Sequence, residues 1–143
     1  VALYARQLAW LQCRPKKPGK PSEDDEPQPT RFEQITGRGE TPELPPVEAQ
    51  QIIHWLHELG WCMPSGMGIG PLTSTEIESW SRLSQTPLDP WEFAAIRTGS
   101  SAYAGQTSND TPQAPWSPEG EQQQHKPKVA GAFKALAKKV NGK

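Results

Sequence analysis

The sequence is short of the residues on which most chemistry depends. It has two cysteines and three histidines in 143 residues. Cys13 and Cys62 stand far apart, too few for a disulfide scaffold and the wrong number for a zinc site, so a reduced, intracellular compartment is the default. His54 and His57 are three apart and share a helix side, while His125 stands alone beside glutamines. No third ligand cluster, no HExxH spacing and no Ser/His/Asp or Cys/His arrangement accompanies them. No metal, no cofactor and no enzymatic activity is expected. Nor does any apolar run approach the length that spans a bilayer. The apolar stretch Val1–Leu11 is short and is followed, not preceded, by charge, so no signal peptide is expected. A strong charge of one sign is also missing: the formal net charge is −1, which supplies no field to attract nucleic acid. The first residue is Val, compatible with an alternative start, with processing, or with the downstream part of a longer product.

What is abundant is proline and glycine, 16 and 12 residues, with a mean hydropathy of −0.75. That composition suits a small globule with arms better than one compact domain. Helical periodicity and four of the six tryptophans fall between residues 44 and 106. The fold class read from this is all-α, with a small three- to four-helix core over 44–106. A short helix over 1–13 and a long disordered, Pro-rich charged linker over 14–43 precede it. A flexible Pro/Gln linker over 107–127 and a basic amphipathic helix over 128–143 follow it. A core of about 60 residues is near the lower limit for independent folding, so burial against a partner or in a homo-oligomer is expected.

In residues 1–13, Leu3, Tyr4, Leu8 and Leu11 share one helical face. The run is too short to stand alone; it docks on the core or on a second copy, unless it is the end of an upstream domain. Residues 14–43 interleave Arg14, Lys16, Lys17 and Lys20 with prolines and then place four acids at 23–26. Prolines at this density deny helix and sheet their donors, and the stretch reads as a solvated spacer in which PxxP matches carry little weight.

Within the core, Pro45 and Pro46 sit where a helix start uses them. Val47–Leu59 carries Ile52, Ile53, Leu56 and Leu59 on one face, with Val47 and Trp55 at its margins and Gly60 as the stop. The stretch 61–70 has glycines at 66, 68 and 70 but neither the Gly-Lys-Ser/Thr ending nor the preceding strand of a phosphate loop. It reads as a tight loop pinned by Met67 and Ile69. Thr73 with Glu76, or Thr75 with Glu78, forms a capping box for a short helix whose buried face is Ile77, Trp80 and Leu83. Pro87 ends that helix near Gln85. Asp89, Pro90 and Glu92 then stand as N-cap, N1 and N3 of the next helix. Trp91, Ala94, Ala95 and Ile96 supply its apolar contacts, Phe93 and Tyr103 close the core from the other side, and Gly99 marks a kink or early stop.

Residues 45–105 carry Arg82 and Arg97 against six acids, whereas 106–143 carry six lysines against three. Val129, Phe133, Leu136 and Val140 follow helical spacing among those lysines. Such a segment lies on an anionic membrane, enters a partner's groove, or docks on the chain's own acidic core. The protein-bound readings are preferred because nothing else points to a membrane. Trp116, between Pro115 and Pro118, is an aromatic in a linker and reads as a docking contact. The candidate partner-binding residues are Trp61, Trp80, Trp91, Tyr103, Trp116, Phe133 and Leu136. Replacing Trp80 or Trp91 with alanine is expected to cost about 3–5 kcal/mol if the indole is buried; an exposed indole marks the partner site instead.

The order of these elements is itself a pattern. WLHELGW leads through the glycine stretch into GPLTSTEIESW, and a spacer leads to LDPWEFAAI, SSAY and Gln106. It resembles the tail assembly chaperones of long-tailed bacteriophages, through Leu59, Gly60, Gly70, Pro71, Leu72, Thr73, Glu76, Ile77, Trp80, Leu88, Trp91, Glu92, Ser100 or Ser101, and Tyr103. The Pro-rich N-terminal arm and the basic C-terminal segment stand outside the pattern. The resemblance implies a non-enzymatic helper in the host cytoplasm that coats the tape measure protein, keeps it soluble and recruits tail-tube protein subunits. It also implies that some members are frameshift extensions of an upstream protein. Two other readings stand beside it: a minor structural component of the virion (tail or head-tail connection) whose arms tie subunits together, and a membrane-active or partner-targeting peptide at Val129–Val140.

Overall fold

The computed structural model describes residues 1–15, 27–66 and 68–120. The segment 128–143, most of the basic and acidic runs of the N-terminal arm, and Met67 lie outside the described residues. The elements are α1 (Ala2–Gln12), α2 (Arg31–Gly37), α3 (Gln50–Leu59), β1 (Met63–Ser65), β2 (Gly68–Gly70), α4 (Ser74–Leu83) and α5 (Pro90–Ser108).

Helix α5 is the element on which α1, α3 and β2 lie. Its start follows from three residues. Asp89 Oδ1 accepts from the Glu92 N–H at 2.8 Å, Glu92 Oε2 accepts from the Asp89 N–H at 2.9 Å, and Pro90 occupies the position where a missing N–H costs nothing. The helix runs unbroken through Gly99, where a kink or early stop was the sequence expectation. The glycine serves close approach instead. A Cβ there would lie 2.6 Å from Leu56 Cδ1 and 2.9 Å from Val1 Cγ1. Gly99 lets α3 and the start of α1 approach the α5 backbone.

The core joins Ala5 and Leu8 of α1, Ile52, Ile53 and Leu56 of α3, Trp61, Leu72, Ile77 of α4 and Ile96 of α5. Leu3, expected on the inner face of α1, is 37% exposed. Helix α3 begins at Gln50, not at the prolines: Val47 is extended chain that lies against the core before the helix opens. Gly60 ends α3 in the left-handed conformation (φ 88°), its N–H donating to the Leu56 carbonyl at 3.0 Å. Trp61 stays left-handed (φ 51°), which turns its indole back under the helix.

The stretch expected as a loop over 61–70 contains an antiparallel hairpin, so the fold is helical with a small two-stranded sheet and not all-α. The register pairs Met63 with Gly70, Pro64 with Ile69 and Ser65 with Gly68. Gly66 (φ 57°) enters the turn, and a Cβ on Gly70 would lie 2.9 Å from Ser65 Cβ, so the glycines serve chain reversal and close strand approach. Beyond β2, the Leu72 N–H donates at 2.7 Å to the buried Ser100 hydroxyl of α5. This bond ties the chain just before α4 to α5. Thr73 caps α4 by accepting from the Glu76 N–H at 3.3 Å. Only Ile77 is fully buried on α4; Trp80 is half-buried against Trp55, and Leu83 is 82% exposed instead of lying on a buried face.

Helix α2 lies inside the stretch read as spacer. Thr30 and Glu33 form a reciprocal capping box at 3.2 and 2.7 Å, and the bonds from Thr30 hold the Glu33 carboxyl below the usual carboxylate range. The neighbouring Arg31 is buried. Its guanidinium grips both Asp110 oxygens at 2.7 and 3.0 Å, donates to the Trp10 and Thr111 carbonyls, and lies 4.7 Å over the Trp10 ring. The Trp10 indole N–H donates to the Thr111 carbonyl at 2.9 Å, and the Trp116 N–H donates to Gln7 Oε1 at 3.1 Å. The chain after α5 therefore turns back along α1.

Candidate functional site

The outer face of α4 and α5 carries an open, mainly apolar groove. Ser74, Ile77, Glu78 and Ser81 recur at spacings of three and four on α4 and form one wall. Leu88, Asp89, Pro90 and Phe93 form the other, and the groove between holds about 440 Å³. The geometry follows from the two caps. Thr73 and Asp89 fix where each helix starts, and Pro87 and Pro90 carry the chain from one to the other as an extended link. Along α5 the groove continues past Phe93 as a shallow trough bordered by Ala94, Arg97, Thr98 and Ser101. The Arg97 guanidinium lies 6.0 Å over the Phe93 ring. Pro90, Phe93, Ala94, Arg97 and Ser101 form one helical stripe of α5: Phe93 is half-buried beside α4, and Ala94, Arg97 and Ser101 are exposed. Ala94 and Ser101 are small, which leaves shallow places between Phe93 and Arg97. Glu78 and Asp89 give the groove its charge.

The candidate residues are dispersed over the fold. Trp91 is 57% exposed at the head of α5, next to the groove; its expected apolar contacts with the core are not made, since Pro90 and Phe93, and not Trp91, face α4. Trp80 is half-buried, with its ring 5.9 Å from that of Trp55. Trp61 is 6% exposed and belongs to the core. It stacks between Tyr4 (6.3 Å) and Tyr103 (5.4 Å), and its indole N–H donates to His57 Nδ1 at 3.3 Å. Tyr103 donates its hydroxyl to Gln12 Oε1, and burial raises its pKa above the ordinary phenol value. Trp61 and Tyr103 thus fill the interior between α1, α3 and α5. Trp116 is half-buried against α1, its indole N–H enclosed without a hydrogen-bond partner among the described residues. Phe133 and Leu136 lie outside the described residues.

Sequence reading missed the groove itself. Its α4 wall is a single isoleucine among serines and a glutamate, too polar to register as an apolar face. The nearest signal was Phe93, which periodicity set apart from the Trp91 face. The histidines do not form a pair: His54 Nε2 lies 3.1 Å from Glu58 Oε1, and His57 turns to Trp61. Among the described residues no group of three or more His, Cys, Asp or Glu side chains is placed to hold a metal ion. Burial raises the pKa of both Cys13 and Cys62, which keeps their thiols protonated and slow to react. Among the described residues no helix is long and apolar enough to cross a membrane.

The family model of the phage tail assembly chaperones matches residues 25–99, just over half of the chain. The chain belongs to that family. The matched segment opens before the Thr30 cap of α2 and closes at Gly99, where α5 meets α3, so it contains both walls of the α4–α5 groove and the trough as far as Thr98. Helix α1 and the end of α5 lie outside it, yet the chaperone holds them against the matched part through Tyr4, Trp61 and Tyr103. Comparisons with curated proteins and with solved structures found no match.

Proposed function

We propose that this tail assembly chaperone binds the tape measure protein in the host cytoplasm through the α4–α5 face and helps bring tail-tube subunits to it. It acts by binding, not by catalysis. The observation that carries the reading is the largely exposed stripe of α5 beside the groove, with Trp91 exposed at its head. A tape measure is a long helical chain with apolar surface, and an amphipathic helix lays its apolar face into a groove of this kind. Exposed indoles are the side chains most often found as anchors at such contacts. Binding along many copies of such a helix shields apolar surface from water and holds it in solution.

The test is co-expression with the tape measure protein. The wild-type chain should raise the soluble fraction of the tape measure and co-purify with it. Trp91→Ala and Ala94→Arg, both at exposed positions, should fold normally and lose both effects. No change in solubility with the wild-type chain would sink the proposal. Mass spectrometry of purified particles separates this role from that of a minor virion component, since a chaperone leaves before maturation.

A further inference from the structure

Two rows of side chains share the outer surface of α5. Trp91, Ala94 and Thr98 recur at helical spacing in one, and Pro90, Phe93 and Arg97 in the other. Trp91 is 57% exposed, and Ala94, Arg97, Thr98 and Ser101 are exposed as well. Around Ala94, Thr98 and Ser101 the surface sinks into a trough of about 440 Å³, room for an indole. The chain's own Trp91 does not fill it. Side chains on a helix lean toward its N-terminus, so Trp91 points away from Ala94 and Thr98, which lie one and two turns further on. The face thus carries a knob and a hole that do not meet within one chain.

Its charges are divided in the same way. Glu78 and Asp89, both exposed, line the groove at the head of α5. Arg97 stands about 12 Å further along the helix than Asp89, with Phe93 midway. Its guanidinium lies over the Phe93 ring. The ion pairs among the described residues join Arg31 to Asp110, Arg38 to Glu40 and His54 to Glu58, and use none of these three charges. A surface with opposite charges on either side of one point matches itself under a two-fold rotation about that point.

We infer that a second copy of this chain covers the face, its α5 antiparallel to the first and the two-fold axis near Phe93 and Ala94. Trp91 of each copy enters the trough beside Ala94 and Thr98 of the other, and Arg97 of each reaches toward Asp89 and Glu78 of the other. The axis keeps each row beside its own counterpart, so the indole meets the small side chains and the guanidinium meets the acids. The stripe from Pro90 to Ser101 is about 17 Å long at the helical rise per residue. A contact of that length is smaller than a permanent dimer interface, so the pair is weak and exchanges. The proposed tape measure contact uses the same face, and a tape measure helix that takes it must separate the pair. That consequence rests on the proposed function; the pairing itself does not.

Sedimentation equilibrium of the full chain, from about 1 μM to about 1 mM, tests the pairing. The mass should rise from 15.8 kDa to twice that value and no further. Trp91→Ala and Arg97→Glu should each raise the dissociation constant at least about ten-fold. Leu83→Glu, at a position on α4 that is 82% exposed and outside the groove, should leave it unchanged. An equal mixture of Arg97→Glu and Glu78→Arg chains should pair more tightly than either variant alone, because the exchanged charges meet their opposites across the axis. That recovery also shows that both variants are folded. A chain that stays monomeric throughout, assembly beyond a dimer, dissociation by Leu83→Glu and not by Trp91→Ala, or a mixture no tighter than its components would overturn the inference. A monomeric chain that still raises tape measure solubility would refute the pairing and leave the proposed function standing. A dimer that leaves tape measure solubility unchanged would do the reverse.

Discussion

Replacing Gly99 with alanine and Gly105 with alanine should move stability in opposite directions, although both glycines lie within α5. In an open helix the exchange favours the folded state by about 0.8–1 kcal/mol, the difference in helix propensity. At Gly105 no atom lies within 4 Å of the added methyl group, so that gain is realised in full. At Gly99 the same methyl group would lie 2.6 Å from Leu56 Cδ1 and 2.9 Å from Val1 Cγ1. Leu56 is fully buried in the core and cannot move aside. Overpacking of this kind costs about 1–3 kcal/mol. The net effect at Gly99 is a loss of about 1 kcal/mol, and the two variants should differ by about 2 kcal/mol. Urea unfolding followed by far-UV circular dichroism and tryptophan fluorescence measures both, and a melting shift of a few degrees should accompany each kcal/mol. A double-mutant cycle with Leu56→Ala isolates the contact: with the leucine truncated, Gly99→Ala should regain about 1 kcal/mol. Equal stabilisation by both glycine replacements would show that α3 does not press on α5 at this point and would refute the close contact.

Asp110→Ala should cost about 3 kcal/mol or more, because it leaves the buried Arg31 guanidinium without its carboxylate; a melt within a degree of wild type would mean the pair is solvated. Asp89→Ala should cost about 1 kcal/mol by removing one arm of the α5 capping box, and helix-start amides of α5 that exchange no faster in the variant would contradict this. Trp91→Ala should change stability by less than about 1 kcal/mol, as expected of an exposed residue, while abolishing capture of the tape measure; a larger loss would place the indole in the core. The lowered pKa of Glu33 carries a sign. A carboxyl whose folded pKa lies below its unfolded value stabilises the fold above the unfolded value and loses that contribution as pH falls through the folded one. The start of α2 should therefore fray only on the acid side of the ordinary carboxylate range. An NMR titration of the Glu33 carboxyl carbon should give a depressed midpoint that Thr30→Ala returns upward, and a midpoint unmoved by Thr30→Ala would contradict the cap.

The helix start at Asp89 and the stop at Gly60 were legible in the sequence, and Thr73 was one of two readable caps for α4, because each is decided within four residues, by a hydroxyl, a carboxylate or a missing Cβ. The hairpin was not. Its strands are three residues long and glycine-rich, and only their pairing with each other across the turn makes them strands. Helix α2 carried a readable signal, Thr30 three residues before Glu33, but it lies in a stretch whose proline and charge read as spacer. Periodicity named Trp91 and Leu83 as apolar contacts without knowing how many neighbours each helix would have. With α4 anchored mainly through Ile77, both remain in water. Trp61 was unreadable for another reason: a left-handed residue after a left-handed glycine reverses the direction of its side chain, and no spacing rule contains that turn.

The hydrogen bond from Trp10 to Thr111 spans 101 positions of sequence. A ribosome adding roughly 5–20 residues per second makes the two residues about 5–20 s apart. Throughout that interval Ala5, Leu8 and Leu11 have no α5 to lie on, and Arg31 has no Asp110. Helix α1 is too short to persist alone, so this half of the core waits, uncovered, for the chain that completes it. The last contacts to form are thus those that bind the beginning of the chain to its later part. A protein whose family guards other chains during assembly passes through its own period of exposure while it is being made.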